Sequence, residues 1–244
     1  MSGTSSKLGV QNGLRRLWSG PNFRWNLFLL ALLLVECGVF GAANGKFLSL
    51  NRVFMAAVGD LPIWCISIFV TFVMITGGID IQSCAIVGFT SIVIGVGWQG
   101  FGMNIWAAAV LGVVVATLCG ALSGFFVAYC GVQAMVVTLG GSFLYGGLAL
   151  LVSTLSGTAA YNGISGFPDG FKALAKTTLF GVVPLPIVIF LLMLLCAYLL
   201  LHRSKYGRKV FLVGVNPQAA EYSGVNARAV VMSTYILSGL AAGI

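Results

Sequence analysis

Charge is scarce in this chain of 244 residues: 7% are Asp, Glu, Lys or Arg, and only five of them are acidic. A water-soluble domain carries roughly a quarter charged residues, so this one has too few to coat a globule. A single histidine, His202, rules out a His-built metal cluster or a Ser-His-Asp triad. The six cysteines (37, 65, 84, 119, 130 and 196) show no CxxC spacing and sit in apolar runs. They read as small buried hydrophobes rather than as disulfides or metal ligands. No GxxxxGK[ST] occurs, so a phosphate-cradling loop for ATP is missing. Gly95-x-Gly97-x-x-Gly100 fits a dinucleotide fingerprint only literally, because it ends an apolar run with no strand before it.

What the chain has in quantity is apolar sequence: 59% hydrophobic residues and a mean hydropathy of +1.04. The solvent for most of this surface is therefore lipid, and an all-α integral membrane bundle is expected. The net charge of +8 comes from two basic groups, Lys7 to Arg24 and Arg203 to Arg228, that flank apolar runs. No basic face interleaved with aromatics can be assembled, so nucleic acid is not an expected partner. Residues 1–24 read as a cytoplasmic tail with a short interfacial helix near Leu14 to Trp18. The run Trp25 to Ala43 is longer than a signal-peptide core of about 7–15 residues and reads as a retained first helix. Further spans are expected at Val53 to Thr76, Cys84 to Trp98, Ile105 to Cys130, Ala134 to Ser153 and Pro184 to Leu201. A last apolar run from Ala229 to Ile244 reads as a seventh helix, incomplete at the C-terminus. Six crossings put nine of the Lys/Arg residues on the inner side (7, 15, 16, 24, 203, 205, 208, 209, 228) and four outside (46, 52, 172, 176). A cytoplasmic N-terminus obeys the positive-inside rule.

Charges in hydrocarbon are costly unless paired or wetted, so Glu36, Asp60 and Asp80 draw attention. Gly77-Gly78-Ile79-Asp80 is the most informative stretch. Two glycines at a helix end let the backbone unwind, and Asp80, Gln82 and Ser83 then bring hydrogen-bonding groups to membrane depth. Such backbone persists only where protein or a water-filled cavity covers it. Thr138, Ser142 and Tyr145 can add polar groups from the fifth helix. Gly120-x-x-x-Gly124, and Gly140/Gly141 with Gly146/Gly147, read as close-packing surfaces, and Phe167 to Leu179 as a short interfacial helix. In the polar segment 202–228, Asn216 can cap a short helix with Pro217 at its first position, and Gly224 can end it in the left-handed conformation. A helix that short needs a partner to hold it.

Four features resemble the permease subunits of ABC-type monosaccharide importers, the ribose, xylose and autoinducer-2 group. They are Gly77-Gly-Ile-Asp80, Val137-Thr-Leu-Gly140, Tyr206-Gly-Arg208 and Gly214-Val-Asn-Pro217-Gln-Ala-Ala-Glu-Tyr-Ser-Gly224. The stretch 156–168 looks most like a D-type autoinducer-2 permease. The resemblance implies a multi-pass protein of the bacterial inner membrane, made of a permease domain 25–244 with a cytoplasmic coupling loop 202–228. It implies a solute path through a permease dimer, for which the residues themselves offer Asp80, Gln82, Ser83, Thr138, Ser142, Tyr145, Glu36 and Asp60 as candidates. It implies a cytoplasmic ABC ATPase dimer docked on Asn216, Pro217, Ala220, Glu221, Tyr222, Ser223 and Gly224, with ATP bound there and no cofactor on this chain. A second permease subunit and a periplasmic solute-binding protein complete the set. Two departures stand out: Gln82-Ser83-Cys84 replaces the usual Ser-x-Gly run, and about three further helices of the family pattern are missing. A proton-coupled secondary transporter relaying through Asp60 or Glu36 is the alternative. An integral membrane enzyme is disfavoured by the lone histidine and the lack of paired acids on one helix.

Overall fold

The computed structural model describes residues 23–45, 47, 49–156, 166–179 and 183–244. The expected N-terminal interfacial helix and most of the 156–168 stretch lie outside the described residues. The chain divides into two units, 1–56 and 57–244. In the first, α1 (Phe23–Ala43) leaves almost every described side chain exposed. Its apolar face runs all the way round, as expected of a helix bathed in lipid. Helix α2 (Leu50–Ile75) begins in this unit and carries Pro62 in its interior.

The second unit is built from α3 (Ser83–Gln99), α4 (Ile105–Ala128), α5 (Ala134–Ser153), α6 (Asp169–Lys176), α7 (Leu185–Tyr198), α8 (Lys205–Val215), α9 (Pro217–Tyr222) and α10 (Ala227–Gly243), together with the end of α2. A strand pair, β1 (Thr178–Leu179) with β2 (Val183–Pro184), forms a two-residue antiparallel clip ahead of α7. Among the described residues, five helices are long and apolar enough to cross a bilayer: Trp25–Ala43, Phe54–Ile75, Ile105–Ala128, Ala134–Ser153 and Leu185–Arg203. The apolar helices α3 and α10 have 17 residues each, at the short end of the range of about 17–25 residues for a span. The expected six crossings and seventh helix therefore depend on α3 and α10 spanning as well.

Helix α10 packs most extensively on α4, with α3 between α4 and α5. Small residues set the α4–α10 distance. A Cβ on Gly120 would collide with the Tyr235 carbonyl oxygen, and its nearest α10 backbone carbon, Gly239 Cα, stands 3.0 Å away. The glycine spacing seen in the sequence is therefore a backbone-to-backbone crossing. Gly140, Gly146 and Gly147 on α5 behave differently: nothing lies within 4 Å of a Cβ placed there, so only Gly141 of that helix is a packing glycine.

The polar segment 202–228 holds the largest departure from expectation. It contains an eleven-residue helix, α8, in addition to the short α9. A π-helical turn, Leu199–Arg203, carries the chain from α7 to α8. The Ser204 side chain then caps α8 by accepting from the Gly207 N–H at 3.1 Å. Val210, Val213, Ala220, Ala227 and Val230 form a small apolar core joined by Ile75 and Tyr206. Lys and Arg on the outer face concealed this periodicity.

Candidate functional site

Helix α2 stops at Ile75, and the backbone stays unwound until Ser83. Gly77 supplies a φ of 81° that other residues rarely adopt. The Gly78 N–H still returns to the Val73 carbonyl at 3.0 Å. A Cβ on Gly78 would lie 2.6 Å from the Tyr235 hydroxyl and 2.8 Å from Val73 Cγ1, so both glycines have a physical reason.

Asp80 organises the break. Its Oδ1 accepts from the Gln82 N–H at 3.2 Å, and its Oδ2 from the Ser83 hydroxyl at 2.8 Å. Ser238 of α10 donates to the same Oδ2 at 2.6 Å. The two serine oxygens stand 3.1 Å apart, converging on one carboxylate oxygen. The carboxylate thereby holds the start of α3 and fastens it to α10. Gln82 is fully buried, and its Oε1 accepts from Ser123 of α4 at 2.7 Å. Gln82 Nε2, also buried, has no hydrogen-bond partner among the described residues. A Cβ on Gly141 would run into Gln82 Oε1, so α5 must carry glycine where it passes this amide. The Ile79 carbonyl faces the Thr138 hydroxyl at 3.3 Å and receives the Tyr235 hydroxyl at 3.4 Å. Thr138 donates more closely to the Ala134 carbonyl, at 2.9 Å. Tyr145 donates to the Cys119 carbonyl at 3.1 Å and stacks on Phe89.

Of the expected path residues, Asp80, Gln82, Ser83 and Thr138 meet in this cluster, with Tyr145 one helix layer away. Ser142 is half-buried on α5 and makes no side-chain hydrogen bond among the described residues. Asp60 is exposed on α2 outside the cluster, and Glu36 is exposed on α1 in the first unit. Sequence reasoning missed Ser123, Tyr235 and Ser238. For two of them the available signal was a place beside a packing glycine, Ser123 next to Gly124 and Ser238 next to Gly239; Tyr235 had no such signal.

Two hollows flank the break. One, of about 190 Å³, has Ser67 of α2 on one side and Asp80, Ser83 and Cys84 on the other. The second, of about 360 Å³, lies between Thr76, Gly77 and Gly78 above and Pro217, Glu221 and Arg228 below. Asn216 caps α9 as expected, its Oδ1 accepting from the Gln218 and Ala219 N–H groups at 3.0 Å each. Gly224 takes a φ of 77° at the end. Ala220 is buried, whereas Glu221, Ser223 and Tyr222 are exposed, Tyr222 at 93%. Tyr206 of α8 bonds to Ser233 of α10 at 2.8 Å. Burial pushes the Tyr206 phenol above its ordinary pKa and the Ser233 bond opposes this.

Residues 53–244 match the protein family described as the permease component of the branched-chain amino acid transport system. The chain belongs to this family. It is 39% identical over 220 residues to the autoinducer 2 import system permease protein LsrD of Klebsiella pneumoniae, covering 90% of this chain and 66% of that one. The LsrD proteins of an Enterobacter species (38% identity over 90% of this chain and 67% of that one) and Yersinia enterocolitica (39% over 91% and 66%) are similarly related. The chain thus spans about two thirds of the length of these curated relatives. No solved structure matches.

Proposed function

We propose that this chain is a transmembrane subunit of an ATP-binding-cassette importer that carries a small, hydroxyl-rich, sugar-like solute into the cytoplasm. Autoinducer 2 is the first solute to test, since that is what the relatives' names specify. The observation that carries the reading is the unwound Gly77–Gln82 segment. A membrane helix interrupted by glycines, with a carboxylate, an amide and five hydroxyls converging on the break, supplies donors and acceptors where hydrocarbon has none. Gln82, with one amide hydrogen-bonding group unused, is the side chain we assign to solute contact.

The remaining assignments follow from that role. The N-terminus and the α8–α9 element face the cytoplasm, and the chain crosses the membrane six times before α10, with α3 counted as a short crossing. A separate ATPase dimer docks on the exposed face of Asn216, Pro217, Glu221, Tyr222 and Gly224, with Ala220 pinning α9 from beneath. ATP is hydrolysed on that partner, and this chain holds no cofactor. A second permease subunit and a periplasmic solute-binding protein complete the importer. The proton-coupled alternative has less support, because Asp60 and Glu36 are both exposed and neither enters the Asp80 cluster.

The test is co-purification from detergent with the ABC ATPases of the same cell, using the intact chain, Glu221→Lys and Gly224→Pro. Capture by the intact chain that both variants lose supports the importer reading. No capture by the intact chain overturns it and favours a transporter driven by an ion gradient.

A further inference from the structure

The Asp80 cluster and the surface element α8–α9 share a frame. Helix α8 touches both elements that frame the cluster, α2 and α10. On one side Gly214 lies against the last turn of α2: a Cβ there would collide with the Ile75 carbonyl oxygen and lie 3.4 Å from Ile75 Cγ2. Ile75 is the last helical residue before the Gly77-Gly78 break. On the other side the Tyr206 hydroxyl and Ser233 Oγ are joined at 2.8 Å. Ser233 lies on α10, five residues before Ser238, which donates to Asp80. Tyr235, between them, donates to the Ile79 carbonyl.

The Asp80–Ser238 hydrogen bond therefore connects two elements that α8 touches separately, one at the foot of the break and one on α10. The lever between these contacts is stiff. Val210 and Val213 are fully buried in the small apolar core that also takes in Ile75 and Tyr206. At its start α8 is locked to the π-helical turn, because a Cβ on Gly207 would meet the Leu201 carbonyl oxygen. Packed interfaces of this kind shift between discrete arrangements instead of deforming smoothly.

We infer that Gly214 and Tyr206 are positioning residues that set the Asp80–Ser83–Ser238 latch from the cytoplasmic side. A displacement of α8 moves the foot of the break through Gly214 and moves Ser238 through Tyr206. The two motions shear the latch and release Asp80 and Ser83 into the hollow they line with Ser67 and Cys84. Its place in transport rests on the importer reading, but the linkage itself is a property of this chain alone.

Hydrogen–deuterium exchange of the intact chain in lipid nanodiscs, with no ATPase present, tests it. The peptide spanning 76–84 reports on the latch, and a peptide within α5 (Ala134–Ser153) reports on general loosening. Tyr206→Phe removes only the hydroxyl, and Gly214→Ala wedges α8 from Ile75. Val215→Ala is the matched control, since Val215 is 85% exposed one residue further on. The expected result is exchange about threefold faster or more across 76–84 in both variants, the effect on an opening equilibrium of losing one hydrogen bond. The α5 peptide and the control stay at wild-type rates. Exchange across 76–84 at the control rate, or a rise of equal size in α5, overturns the inference. If Gly214→Ala does not fold, Tyr206→Phe decides alone. Because no ATPase enters the experiment, failed ATPase capture leaves this result standing, and a failed exchange test leaves the importer reading standing.

Discussion

Helices α7 and α10 are both short and apolar, yet they do opposite things. Across its fourteen residues α7 buries only Ala197, and it turns Leu191, Leu192, Leu194 and Leu195 outward. Across seventeen, α10 buries Ala227, Val230, Thr234, Tyr235, Ser238, Gly239, Ala241 and Ala242. The difference lies in what interrupts the apolar run. In α7 the run is nearly unbroken, which suits lipid on most sides. In α10 hydroxyls and small residues recur at helical spacing, and the helix is drawn into the interior, where the hydroxyls find acceptors and the glycines find backbone. Lipid gives two helices no hydrophobic reason to associate, so packing and hydrogen bonds decide which one is central. Between these two helices, the more apolar one lies at the perimeter and the one interrupted by hydroxyls and small residues lies in the interior.

The sharpest way to break the comparison is to add bulk at two glycines. Gly120→Val places atoms against the Tyr235 carbonyl and should cost about 3 kcal/mol or prevent folding, whereas Gly147→Val meets open space. Unfolding midpoints in mild detergent read the contrast, and equal losses would mean that the α4–α10 crossing does not hold the interior together. Next in size is Asp80→Ala. Two hydroxyls and one backbone N–H lose their acceptor, a destabilisation of about 2–3 kcal/mol for bonds to a charged group. Asp60→Ala should be close to silent in the same denaturation series. Ser123→Ala leaves the buried Gln82 Oε1 without its donor and should cost about 1–2 kcal/mol, with the matching substitution at half-buried Ser142 costing less. At the bottom of the scale, Leu192→Ala on the outer face of α7 should stay within about 0.5 kcal/mol. A larger loss would show that α7 has a protein neighbour rather than lipid.

Part of this site could be read from the sequence because its causes are local. A charged residue and two glycines inside an apolar run can hardly be anything but a break, and Asn216, Pro217 and Gly224 encode a cap, a first turn and a stop within nine residues. The span at Ala134–Ser153 was legible for the same reason, bounded by polar and glycine-rich flanks. The partners of Asp80 were not legible. Ser238 lies 158 positions away, and a serine in an apolar helix reads the same whether it bonds its own carbonyl, as Ser67 does, or reaches a neighbour. Helix α8 was missed for another reason. It buries only Gly207, Val210 and Val213, and Lys205, Arg208 and Lys209 crowd its first half, so the segment passed for a loop. Pairing Thr138 with Ser142 and Tyr145 was a partial success, because the helical period brought them towards one face but could not say which would meet another chain segment.

The aromatic knot at the far end of α3 has a consequence of its own. Trp98 stacks on Phe167 at 5.3 Å, and Trp106 meets Phe171 edge-on at 6.0 Å. Tryptophans gathered beside an amphipathic helix such as α6 mark a headgroup boundary. Fifteen residues separate Ser83 from Trp98, which is about 22 Å of helix in a hydrocarbon layer of about 30 Å. In the proposed orientation the Asp80 carboxylate then lies about three quarters of the way in, leaving roughly a quarter of the membrane's electric field between it and the cytoplasm. A unit charge crossing that last quarter exchanges only about 0.6 kcal/mol with a potential of about 100 mV. In that orientation, a charge step at Asp80 is nearly blind to the membrane voltage.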